Sequence, residues 1–152
     1  MSNEHIKKHL KNILLDTVEE RINSLQNEVD AAIHSRDTAA KSTAGDKHET
    51  GRAMMQTEID NLQAQLSKNV ALKEDVLKIA EGRQFEFVDF GALVITNDHK
   101  YFITVGLGSL SHEGDTYYAI SMASPIGQLL KNKKVGELAH FNGREIKITS
   151  II

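Results

Sequence analysis

Apolar residues in the first part of the chain recur at threes and fours: Ile6, Leu10, Ile13, Leu14, Val18, Ile22, Leu25, Val29 and Ile33. That period places a narrow apolar stripe along one side of an amphipathic helix. A second stripe follows in Met55, Ile59, Leu62, Leu66, Val70, Val76 and Leu77, with a register that drifts after Val70. The stretch from Ser35 to Gly45 is polar and small and is expected to connect the two. Neither stripe can face water, and this part of the chain has no aromatic bulk for a globular core. Two helices of about 30 residues folded back on each other cover both stripes, giving an antiparallel coiled-coil hairpin about 45 Å long. Such a finger is too narrow to hold a pocket, so any chemistry it carries belongs at its tip.

Beyond residue 84 the pattern changes. Segments 84–88, 92–96, 101–105, 116–121 and 145–151 are rich in β-branched and aromatic residues and predict strands. Asn97-Asp98, the stretch from Gly106 to Gly114, and Asn142-Gly143 predict the turns between them, the last as a hairpin. Ser124-Pro125 reads as an N-cap and first helical residue, opening a short helix through Leu130. All eight aromatic residues lie in this half, which places a domain boundary at Glu81-Gly82-Arg83. The expected architecture is α+β: a coiled-coil hairpin over residues 1–82, then a small, mostly antiparallel β domain with one short helix over 83–152.

Charge divides in the same way. Residues 1–82 carry 11 Lys and Arg against 14 Asp and Glu, whereas the rest is balanced, so the net charge of −3 sits in the hairpin. This acidity argues against direct duplex-DNA binding, which needs a basic face. The chain has no cysteine, which excludes disulfides, thiolate metal sites and cysteine nucleophiles. Its longest apolar runs are too short to span a membrane. The residues Met1-Ser2-Asn3-Glu4 lack the zones of a signal peptide, so a soluble, cytoplasmic protein is expected.

Few residue patterns suggest catalysis. His5 and His9 share a helix face, but Ile6-Lys7-Lys8 between them offers no acid and repels a cation, so they read as a surface pair. His99, His112 and His140 fall in turns or at a strand end. There is no nucleophile elbow, and Gly106-x-Gly108 leads into a loop rather than a helix. Lys131, Lys133 and Lys134 read as a solvated helix end favoured by the dipole. At the tip, Asp46 and Glu49 stand three residues apart on one side of the second helix's start. Two readings fit that spacing. One is a capping box, in which Asp46 caps the helix and Glu49 reaches back to a free amide. The other is a pair of hard oxygen ligands for Mg2+, too few to hold the ion alone but able to complete a site half built by another protein.

Two segments resemble the bacterial Gre transcript-cleavage factors, which join an N-terminal coiled-coil finger to an FKBP-like C-terminal domain. One is Gly45-Asp46-Lys47-His48-Glu49; the other is Ser124-Pro125-Ile126-Gly127-Gln128-Leu129-Leu130 with Lys133-Lys134-Val135-Gly136-Glu137. Phe90-Gly91-Ala92-Leu93-Val94 is similar to the family's first C-terminal strand. The resemblance implies a transcription elongation factor that docks on bacterial RNA polymerase and inserts its finger into the secondary channel. Asp46 and Glu49 would then help hold a catalytic Mg2+ shared with the polymerase, meeting the nascent RNA 3′ end only indirectly. The hydrolysis would be the polymerase's own, stimulated by a factor that is not itself an enzyme. Arg52, Ser124, Pro125, Ile126, Lys133 and Lys134 are the binding candidates on this reading, and exposed apolar residues around Leu107 and Leu110 are expected docking contacts.

The tip departs from the family pattern. Thr50-Gly51-Arg52-Ala53-Met54-Met55 follows Glu49 where the family continues with Asn and a stretch containing Tyr and Arg. The family's tip aromatic is absent, and Arg52 falls where many members have an acid. Gly51 lowers helix propensity by about 1 kcal/mol relative to Ala, which suggests a kink or a close backbone approach. A channel-binding regulator without cleavage activity is therefore the alternative, and a coiled-coil adaptor is a third class. Prolyl isomerase activity is not carried over from a shared fold.

Overall fold

The computed structural model describes residues 3–41 and 46–152, and side chains outside 40–48. Helix α1 spans Asn3–Lys41 and helix α2 spans Asp46–Leu77. Strands β1 (Leu93–Thr96), β2 (Lys100–Thr104), β3 (Gly108–His112) and β4 (Asp115–Ser121) follow, then helix α3 (Pro125–Leu130) and strands β5 (Leu138–Phe141) and β6 (Arg144–Ile151). The chain forms two compact units. One is Asp16–Lys73; the other joins Met1–Leu15 to Glu74–Ile152, so the base of each helix groups with the sheet.

The first unit is the antiparallel hairpin. Val18, Leu25, Val29 and Ile59 are buried in it, and Ile22, Ile33, Met55, Leu62 and Leu66 are half-buried. Two polar pairs confirm the register. Lys73 Nζ lies 3.4 Å from Glu19 Oε1, and farther along Arg36 Nη1 donates to Gln56 Oε1 at 2.7 Å. The helix does not end at Ser35 as its polarity suggests. It continues to Lys41 because Arg36, Ala39, Ala40 and Lys41 are strong helix formers and Arg36 finds a partner across the hairpin. After the register drift Val70 is exposed, and Val76 is buried in place of Leu77.

The second unit is built on a six-stranded sheet of order β3-β4-β2-β1-β6-β5. Every neighbouring pair is antiparallel except β2 and β4, which run parallel with Tyr101 opposite Tyr118 and Phe102 opposite Ala119. Segment 84–88 is not a strand. Val88 instead exchanges hydrogen bonds with a loop, its N–H donating to Lys133 O at 2.8 Å and its carbonyl accepting from Asn132 N at 3.1 Å. Two strands escape the propensity reading. Strand β3, Gly-Ser-Leu-Ser-His, has weak intrinsic β preference and is held by pairing with β4 through a turn at Glu113-Gly114, both residues having positive φ. Strand β5 is the first arm of the expected hairpin at Asn142-Gly143. Leu110 lies opposite Tyr117 and is only 7% exposed, and Leu107 is half-buried, so neither is the open docking contact the sequence suggests.

One sheet face carries a hydrophobic core: Val94, Tyr101, Ile103, Ile146 and Ile148, closed by Leu130 of α3 with Ile126 and Leu129 beside it. Helix α3 is seated by its N-terminus. Ser124 Oγ accepts from Gly127 N at 3.0 Å and donates to Ser121 O at 2.7 Å, joining the helix cap to the end of β4. Gly127 stands so close to that strand end that a Cβ would collide with the carbonyl oxygens of Ser121 and Met122. The turn between β1 and β2 is fastened to β6: Asn97 Oδ1 accepts from Lys147 N at 2.7 Å, and Asp98 receives Arg144 at 2.8 Å. Tyr101, whose hydroxyl reaches Asp98 at 3.3 Å, has its pKa pushed up to about 12 by burial and by the Asp98 charge.

Gly127→Ala is expected to destabilise the protein by at least about 2 kcal/mol, because backbone rather than a movable side chain occupies the Cβ position. Urea unfolding followed by circular dichroism measures it, and an unchanged midpoint would refute the close approach. A second expectation concerns acid. The Arg83 hydrogen bond, aided by the Phe90 N–H, holds the Asp89 carboxyl below its usual range. A depressed folded pKa contributes stability above the unfolded value near 4, and that contribution is lost as pH falls through the folded value. With Asp89 still 42% exposed, Arg83→Met should flatten the acid limb of a stability–pH curve by only a few tenths of a kcal/mol.

Candidate functional site

The start of α2 carries the acidic pair. Asp46 is its first residue, but the Asp46 side chain lies outside the described residues, so neither its capping nor its ligand role is placed. Glu49 is exposed one turn on and faces a shallow cleft of about 350 Å3 that it lines with Arg36, Arg52, Ala53 and Gln56. No ion pair engages Glu49 or Arg52 among the described residues. Arg36 enters this cleft from α1, its guanidinium spread between Gln56 Oε1 at 2.7 Å and Asp37 Oδ1 at 3.0 Å. Gln56 in turn donates to Asp60 Oδ1 at 2.9 Å, so Asp37, Arg36, Gln56 and Asp60 form a connected polar row that runs past the cleft.

Sequence spacing did not select Arg36, because it falls in the polar stretch read as the connection. Its signal lies in register: it sits seven residues after Val29 on a helix, which carries it toward the partner helix. Gly51 neither interrupts α2 nor makes room for a neighbour, since nothing described lies within 4 Å of where its Cβ would stand.

The remaining candidates lie in the other unit. Ser124 spends its hydroxyl on the α3 cap, Pro125 is exposed at the first helical position, and Ile126 is half-buried against the core. Lys133 is half-buried with its carbonyl bonded to Val88 N, while Lys134 is exposed and its N–H donates to Glu137 Oε2 at 3.1 Å. Val135 and Leu138 are exposed apolar residues in and just after the same turn. His5 and His9 are both exposed on α1, and His9 also has a neighbour on the sheet. Its ring meets that of His112 on β3 at 4.4 Å between centroids, and no group of three or more metal-ligating side chains exists among the described residues. No described helix is long and apolar enough to cross a membrane.

The fold is thus α+β, a helical hairpin joined to a six-stranded sheet with one short helix. Among solved structures, that of the transcription factor Gfh1 matches at 18% identity, covering 91% of this chain and 92% of that one, with a TM-score of 0.34. No protein-family model and no curated protein matches the chain.

Gly51→Ala is expected to stabilise the hairpin by up to about 1 kcal/mol, since it removes backbone freedom from the unfolded chain without a clash. A higher thermal midpoint checks this; a lower one would mean that the position needs glycine.

Proposed function

We propose that the chain is a Gre-like transcription factor that binds bacterial RNA polymerase through its sheet unit and presents the hairpin turn to the polymerase's catalytic centre. The observation that carries this reading is the placement of Glu49, exposed and with no ion pair among the described residues, one turn into the second arm of an antiparallel hairpin. A hairpin only two helices wide enters a channel closed to a globular domain, and acids at its turn are the side chains that would arrive first.

In this role Asp46 and Glu49 add hard oxygen donors to an ion the polymerase already holds in part. Two carboxylates fit a shared octahedral Mg2+ site and do not fill a resident one. When bound, such an ion lowers the pKa of its water and clamps the scissile phosphate of the RNA. The chain's own contribution would be Glu49, exposed one turn into α2, with Asp46 three residues before it in the sequence, at a helix start where the dipole favours negative charge. The hydrolysis belongs to the polymerase.

A second reading has a specific observation in its favour. Arg36 and Arg52 line the same cleft as Glu49, and their charge weakens its pull on a cation. A factor of that kind occupies the channel and regulates without cleaving.

Transcript cleavage in backtracked complexes of a bacterial RNA polymerase, with Mg2+, separates the two. The cleavage factor shortens the RNA, and Asp46→Asn or Glu49→Gln abolishes shortening while leaving polymerase binding within about threefold. Bound protein with full-length RNA establishes the regulator, and absence of binding overturns both.

A further inference from the structure

Within the second unit, the first turns of α1 meet the sheet through two imidazole rings. His9 of α1 and His112 of β3 lie 4.4 Å apart between ring centroids, with their planes inclined by 41°. The rings differ in setting. His9 is exposed, whereas the His112 side chain is only 8% exposed. Its Nε2 is buried and takes part in no hydrogen bond among the described residues. Neutral or singly charged rings pack at this separation as aromatic faces. Two imidazolium ions do not. Unit charges about 4 Å apart oppose each other by about fivefold in an equilibrium constant even in bulk water, and by more where protein replaces water.

The charged groups around the pair do little to relieve that repulsion. Glu113, in the turn after β3, brings Oε2 to 3.9 Å from His112 Nε2, which is beyond hydrogen-bond distance, and its side chain is 59% exposed. Asp115 of β4 stands opposite His112 but is already engaged by Lys100 of β2 at 3.2 Å. On α1, Lys8 precedes His9, His5 lies one turn before it and Asp16 two turns after it. His5 adds further positive charge on the same helix face in the pH range where His9 acquires its own.

We propose that the His9–His112 contact is a pH-sensitive latch, which holds the first turns of α1 against β3 near neutral pH and releases them when both rings carry a proton. The sign follows from the protons each state binds. Once released, the two imidazoles take up protons independently at about pH 6.5, whereas the closed contact opposes the second proton. The released state binds more protons, so the closed state loses ground as the pH falls through about 6.5. Ordinary carboxylates titrate about two units lower, which separates this response from that of Asp89. The latch shares no residue with the hairpin turn and is independent of the role proposed for Glu49.

Amide hydrogen exchange of the full chain, compared at about pH 7.5 and about pH 5.5 after correction for intrinsic rates, tests the latch. The expected result on acidification is a loss of protection of at least about 5-fold in residues 5–14, with β1 and β2 changing by less than about 2-fold. His9→Gln changes an exposed residue, keeps the fold, and should abolish the difference. A folded His112→Phe variant should do the same. His140→Gln, on β5, should respond like the parent. Unchanged protection in the parent, a parental response in His9→Gln, or loss of the response in His140→Gln would overturn the latch.

Discussion

Strands β1 and β2 bear apolar side chains on both faces, so the sheet unit exists only if each face is covered. Val94 and Tyr101 point to one side, while Leu93 and Phe102, opposite each other in the ladder, point to the other. Helix α3 closes the first side with Leu130. It is short, so its position depends on how closely its first turn approaches the end of β4: Ser124 joins the two by hydrogen bonds, and Gly127 allows the backbone contact. The second side runs through Ala119 and Leu110 to His112, where His9 of α1 meets the sheet. The base of the helical segment is in this way part of the sheet unit, which is why the compact units divide at Leu15 and Glu74.

The hairpin obeys a different constraint. Its buried residues form a single seam of aliphatic side chains, and most of its remaining surface is polar, with Met54 and Val70 exposed. Nothing in such an element encloses a substrate, so its chemistry is confined to what the turn exposes. The cleft by Glu49 shows the balance there: one described carboxylate, two guanidinium groups and an amide that ties one of them down. The arginines set the local charge that Glu49 presents.

Two sets of charged residues thus have distinct physical settings. Near the turn, Glu49 and Arg52 are exposed, and they gain strength only where a partner excludes water. At the base of α1, Lys7 is largely buried, with its ammonium group over the Phe85 ring.

By itself the amino-acid sequence determined the two-helix hairpin, most of the strands, the Ser124-Pro125 helix start and the Asn142-Gly143 hairpin. Each of these follows from local period, capping or turn chemistry, which act within a few residues. The tertiary structure decided what depends on partners distant in the chain. It carried α1 through Ser35 to Lys41, because Arg36 reaches Gln56, and it made a strand of Gly108–His112, because β4 supplies the ladder. It withheld a strand from segment 84–88, whose Val88 bonds to residues 132 and 133 instead. It also buried Leu110 and most of Lys7, and it brought His9 against His112. None of these was legible in spacing, because burial and pairing are properties of the surfaces that meet, and those surfaces come from opposite ends of the chain.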